Sequence, residues 1–155
     1  MANWAAFEAS APELAANGRR LLHQGETGAA YLGTIRKDGG PRLHPIFPIL
    51  SEGELYAFIV NLGWKYRDLV RDGRYALHSF PTPQGGEEFY LTGRAEPVID
   101  PGRRAGVVAA TAGRQGNADF EALFAFDIER ALHTRWANWG TAEAWPTFTK
   151  WADRS

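Results

Sequence analysis

The spacing of apolar residues changes period several times along this 155-residue chain, and each change marks an element. Ser10-Ala11-Pro12-Glu13 has the form of a capping box, with Ser as N-cap, Pro in the first turn and Glu at the third helical position. Leu14, Ala15, Leu21 and Leu22 follow as a helical apolar stripe, and Gly25 is a natural stop. Residues 1–9 before it read as an N-terminal arm that either docks through Trp4 and Phe7 or stays loose. From Gly28 the period shortens. Residues 29–35 predict a strand, Lys37-Asp38-Gly39-Gly40 a turn, residues 41–50 a second strand, and Ser51-Glu52-Gly53 another turn. Residues 55–60 predict a third strand, and the three together an antiparallel meander.

The pattern then turns helical over residues 64–72, with Tyr66, Leu69 and Val70 on one face and Gly73 closing it. Residues 75–80 predict a fourth strand, Pro81 to Gly86 a loop, and residues 88–98 a long fifth strand. Asp100-Pro101 opens a helix to about Arg114, and residues 123–132 predict a sixth strand. The remaining tail, 133–155, holds Trp136, Trp139, Trp145 and Trp151 on a polar segment. Six strands and three short helices in a single domain over 1–155 suggest a mainly β (α+β) fold, a small antiparallel barrel plugged by helices.

Composition narrows the function classes. Seventeen Lys+Arg against eighteen Asp+Glu gives a net charge of −1, so no basic field points to nucleic acid. The chain has no cysteine, which excludes disulfides, thiolate metal sites and cysteine nucleophiles. No apolar run approaches the roughly 20 residues of a membrane helix, and the first residues lack the pattern of a signal peptide. The expectation is a cytoplasmic domain that binds neither membrane nor nucleic acid. The four histidines have no metal-ligand spacing, no serine sits in a nucleophile-elbow setting, and the glycines lie outside a strand-to-helix fingerprint.

Two stretches carry candidate chemistry. At 60–67 a strand ends and a helix begins with Lys65 in its first turn, where unpaired amides and the helix dipole favour an anion over a cation. A bound phosphate would offset that placement, with Arg67 adding charge. Spacing equally allows a solvated face on which Lys65 pairs with Asp68 or Asp72. At 41–49, Arg42 and His44 share one face of the second strand, and Leu43, Phe47 and Ile49 the other. Three prolines in that strand argue for an edge, a bulge, or backbone lying against something other than a strand. His44 is open as a ligand contact, a general base or a half-buried histidine satisfied by backbone. Glu87 and Glu88 are adjacent in a strand and face opposite ways, so they form no carboxylate pair.

The ordered run Gly40-Pro41, His44-Pro45-Ile46-Phe47, Glu52-Gly53-Glu54-Leu55-Tyr56, Lys65-x-Arg67-x-Leu69-x-x-Asp72-x-Arg74-x-Ala76-Leu77 and Leu91-Thr92-Gly93-Arg94-Ala95-Glu96 resembles the pyridoxamine 5′-phosphate oxidase-like, FMN-binding split-barrel family. The resemblance covers roughly residues 27–100, about half the chain, and rests on the order and spacing of its pieces. It implies a six-stranded antiparallel split β-barrel that forms a homodimer, with FMN in each of two clefts between subunits. Lys65 matches the family's lysine for the flavin phosphate, and Gly63 and Trp64 stand beside it where the family often has Ser and Arg. Arg42 or His44 matches the second-strand arginine that contacts phosphate or ribityl, within the stretch continued by Pro45, Ile46 and Phe47. Ile59 and Val60 fall where the third strand passes the flavin, and Glu88 falls near a glutamine that reaches it. An ionised glutamate cannot donate as glutamine does.

The resemblance therefore implies an FMN-dependent oxidoreductase that exchanges hydride or electrons with a small organic substrate. Gly63-Trp64 in place of Ser-Arg removes a hydroxyl and a cation, which implies weaker FMN binding. The family's C-terminal pyridoxal-phosphate motif is not found in this chain, so pyridoxamine phosphate is not the expected substrate. The rival readings are a non-catalytic flavin- or haem-binding carrier or sensor, an F420-dependent reductase, and a barrel that has lost its cofactor. Trp64 and the tail tryptophans either stack on a ring or serve core and interface.

Overall fold

The two edges of the sheet are consecutive in the chain, and this closes the molecule. In the computed structural model, which describes residues 1–24 and 28–154, one antiparallel sheet runs in the order β2-β1-β5-β6-β7-β4-β3. Its strands are β1 (Ala30–Ile35), β2 (Pro41–Ile46), β3 (Ile49–Ser51), β4 (Glu54–Val60), β5 (Arg74–Ser79), β6 (Glu87–Pro97) and β7 (Glu121–Ala137). An eighth strand, β8 (Trp145–Ala152), pairs with the second half of β7. Phe47 and Pro48 link edge strand β2 to edge strand β3, so the sheet curls into a split barrel.

The second strand expected over 41–50 is thus two strands on opposite edges. Pro45 and Pro48 have no N–H to give a ladder, and the chain leaves one edge and joins the other between them. The expected meander is broken at the same point: β2 pairs only with β1, while β4 pairs with β3 and β7. The face expected to join Leu43, Phe47 and Ile49 is also broken. Leu43 and Phe47 are exposed and Ile49 is buried.

Four helices accompany the sheet: α1 (Trp4–Ser10), α2 (Pro12–Leu22), α3 (Trp64–Arg71) and α4 (Pro101–Ala110). The N-terminal arm docks, and does so as α1, capped by Asn3, whose side chain accepts from the Ala6 amide at 2.9 Å. Trp4 and Phe7 are fully buried, each contributing roughly 2–3 kcal/mol by the area removed from water. Ser10 does not cap α2. Its hydroxyl donates back to the Phe7 carbonyl at 3.1 Å, because Ser10 is already the last residue of α1, and Ala11 stands at the N-cap without a side-chain bond. Gly25, expected to stop α2, lies outside the described residues. Gly18 of α2 lies so close to Phe89 of β6 that an added Cβ would sit 2.4 Å from the ring.

Three further expectations are corrected. The helix expected to Arg114 ends at Ala110, where Thr111 caps it and Ala112 and Gly113 take positive φ. On α3, Leu69 is buried and Tyr66 packs against the core as expected, but Val70 is exposed and Asp68 is buried in its place. The tail does not begin at 133. β7 runs on to Ala137 and the chain returns as β8, most of whose residues are exposed, so no apolar alternation marks it. Among the described residues no helix is long and apolar enough to cross a membrane.

Candidate functional site

The start of α3 is built without a side-chain cap. The chain leaves β4 at Val60, where the Asn61 amide donates to Phe120 O at 2.8 Å and the Gly63 amide to Val60 O at 3.2 Å. Gly63 is the N-cap, and an added Cβ there would meet nothing closer than 3.5 Å. The first-turn amides therefore keep their partial positive charge uncompensated. Into this turn comes Lys65, half-buried, with Nζ donating to the Pro45 carbonyl of β2 at 3.0 Å. Burial holds its ammonium pKa below the ordinary lysine value.

The ion-pair alternative for Lys65 does not form, because both carboxylates are engaged elsewhere. Asp72 holds Arg74 at 2.6 Å. Asp68 holds Arg42 at 2.7 Å and Arg71 at 3.2 Å, and accepts from the Thr34 hydroxyl at 3.1 Å. Burial alone would raise the Asp68 carboxyl, but its three donors outweigh that and keep it below the usual range. Among the described residues neither Lys65 nor Arg67 has a carboxylate within 4 Å. The guanidiniums of Arg42 and Arg67 lie over the Trp64 ring, 5.5 and 5.0 Å from its centroid, so Trp64 gathers cations around the helix start.

His44 completes the cluster. Burial pushes its pKa down and the Lys65 and Arg42 charges push further, against a smaller opposite pull from Asp68. A neutral imidazole results, and its Nε2 is buried with no hydrogen-bond partner among the described residues. A buried nitrogen left unpaired beside an ammonium and a guanidinium suits an anionic oxygen, toward which a neutral ring can donate. The cluster can thus offer an anion Lys65, His44, the free end of Arg42 and the first amides of α3.

The remaining residues singled out in the sequence are divided. Ile46 and Ile59 are buried in the core, and Phe47 and Val60 are 45% and 42% exposed. Glu88 lies on β6, three strands from β2 in the sheet order, roughly 14 Å across the ladder. There it faces His78 at 3.4 Å, while Glu87 on the other face takes Arg20 and His133, so the two glutamates do point apart. One chain gathers Arg42, His44, Pro45, Gly63, Trp64 and Lys65 and leaves Glu88 outside. Sequence reasoning named Asp68 only as a possible partner of Lys65 and missed that it holds Arg42, with the Thr34 hydroxyl donating to the same carboxylate. The available signal was an acidic residue beside Leu69, on the inward side of α3.

No known family matches the sequence, and no curated protein does. Solved structures do match the fold. A haem-binding protein from Mycobacterium smegmatis shares 18% identity at a TM-score of 0.57, over 77% of this chain and 52% of that one. The chain spans about half the length of that protein. HutZ from Vibrio cholerae, described as a haem storage protein, shares 14% identity at 0.61, over 77% of this chain and 89% of its own. A NimC/NimA family protein from Clostridium acetobutylicum shares 18% at 0.58, over 80% and 85%. This chain has the split-barrel fold. At these identities the likeness extends to fold alone.

Proposed function

We propose that this chain is an FMN-binding module whose cofactor phosphate is held by Lys65, Arg42 and His44 at the start of α3. The observation that carries this reading is a half-buried Lys65 in an uncapped first helical turn, next to His44 Nε2, the lysine without a carboxylate and the imidazole nitrogen without a partner among the described residues. Bound flavin supplies hydride and electron transfer, with a small organic molecule as partner. Phe47, which follows β2, and Val60, Leu62 and Trp64, where β4 gives way to α3, are exposed apolar residues next in the chain to the clasp. Exposed apolar residues of this kind support a homodimer in which a second copy closes the cleft.

Haem is the second reading. It is favoured by two structural neighbours described as haem-binding and haem storage proteins, and by a neutral, unpartnered imidazole nitrogen at His44.

Titration of the purified protein with FMN and, separately, with hemin distinguishes the two. The expected result is stoichiometric quenching of flavin fluorescence, with Lys65→Ala weakening FMN binding by about ten-fold or more. Unchanged affinity in Lys65→Ala removes the phosphate assignment. A Soret band that depends on His44, with no FMN uptake, replaces the flavin reading by the haem one.

A further inference from the structure

A cavity of about 510 Å³ lies on the outer face of the sheet, where β6, β7 and β8 run side by side, and shares no residue with the Lys65 clasp. Its walls include Tyr90, Arg130, Leu132, Lys150, Ala152 and Arg154. The ladder register explains the grouping. Tyr90 pairs with Leu132 and Leu132 with Lys150, which makes one row of side chains on one face. Arg130 pairs with Ala152 in the next row, and the small side chain of Ala152 leaves space beside the guanidinium. The half-buried Tyr90 and Leu132 form an apolar floor under three cations.

The charges around this cavity are not balanced. Among the described residues Lys150 and Arg154 have no carboxylate within 4 Å, and Arg130 has only Glu129, at 3.7 Å with both side chains more than half exposed. The neighbouring Asp153 is engaged by the N-terminal ammonium at 3.0 Å. Lys150 rests near the Phe148 ring, 5.9 Å from its centroid, which keeps its head at the rim. An apolar floor of this volume with a few converging polar groups has the make-up of a small-molecule site.

We propose that this cavity binds small aromatic carboxylates, the ring on Tyr90 and Leu132 and the carboxylate among Arg130, Lys150 and Arg154. The occupant is an anion because the wall supplies three cations and one weakly held counter-charge. It is flat and apolar in its body because the floor is. This site is separate from the FMN clasp and stands or falls independently of it.

Isothermal titration calorimetry of the whole protein with 2-naphthoate and with its neutral isostere 2-naphthamide tests the site. Naphthoate is expected to bind about ten-fold more tightly than the amide, and Arg130→Gln and Lys150→Gln each to remove most of that preference. Lys65→Ala is expected to leave naphthoate binding unchanged. All three positions are at least partly solvent-exposed, and a circular dichroism melt confirms that each variant is folded. Equal affinity for acid and amide, or no naphthoate binding, overturns the proposal. So does loss of naphthoate binding in Lys65→Ala, which would place the ligand at the clasp. If Arg130→Glu or Lys150→Glu instead splits a dimer that excludes naphthoate, the cavity is a seam between copies and the proposal is overturned.

Discussion

Asp68 Oδ2 on α3 accepts from Arg42 Nε on β2 at 2.7 Å, and this contact ties the helix that carries Lys65 to the strand that carries His44. Asp68 is 2% exposed and Arg42 about a quarter exposed, so the pair is largely desolvated and its value lies in having both partners present. Only Nε of Arg42 is committed to Asp68, which leaves the outer nitrogens for a ligand.

Asp68→Ala strands the Arg42 guanidinium and the Thr34 hydroxyl and leaves Arg71 only its bond to the Ile35 carbonyl, and is expected to cost about 2–3 kcal/mol. For a domain of this size that lowers Tm by roughly 5–10 °C in calorimetry. Asp68→Asn keeps an acceptor without the charge and is expected to lose less. An Asp68→Ala melt that overlays the native one would show that the network contributes nothing net.

Gly93→Ala strikes backbone. An added Cβ would lie 1.9 Å from the Asp127 carbonyl oxygen, where the register between β6 and β7 shifts. A carbonyl in a ladder cannot swing aside as a side chain can, so the strands must part locally at a cost of about 3 kcal/mol or more. Soluble yield and Tm are both expected to fall sharply. A native-like Tm would mean that the bulge can open freely.

His44 makes the fold sensitive to acid. Its folded pKa lies below the ordinary 6.5, so below pH 6.5 the unfolded chain takes up a proton that the folded one resists. Its contribution is fully present above that pH and is lost as pH falls through the window down to the folded pKa. Urea titrations at pH 7.5 and 5.5 are expected to show a smaller stability difference in His44→Gln than in the native protein. An identical difference in both proteins would show that His44 does not titrate in this window.

The exposed apolar residues predict association. Leu43, Leu62 and Trp64 are 66%, 75% and 61% exposed, apolar area that a second copy would cover. Sedimentation is expected to give a dimer for the native protein and a monomer for Leu43→Glu. The Tm of a dilute Leu43→Glu sample should stay near that of the separated native chain, because Leu43 is outside the core. A native protein that remains monomeric at high concentration removes the two-copy cleft.

Several elements were legible in the sequence for a plain physical reason. β1 and β5 each bury alternate residues, so period two showed them, and α3 begins at the Gly63-Trp64 boundary where the period changes. Other elements left no such trace. β8 is mostly exposed, and its aromatic residues therefore read as an irregular tail. Ser10 has the chemistry of a cap for α2 but ends α1, since local spacing does not say which of two adjoining helices owns a residue. The prolines of 41–50 signalled an interruption without showing that β2 and β3 go to opposite edges.

The sequence by itself determined the local elements and the placement of a lysine in the first turn of a helix after a strand. Periodicity, prolines and turn residues act over a few positions and are written there. The tertiary structure alone decided that Asp68 reaches Arg42, 26 residues away, and so is not the partner of Lys65. It also decided that β7 accepts β8 and that β2 and β3 take opposite edges. Those choices depend on which distant surfaces bury one another and which buried charges find partners, a sum over the whole chain that no short window contains.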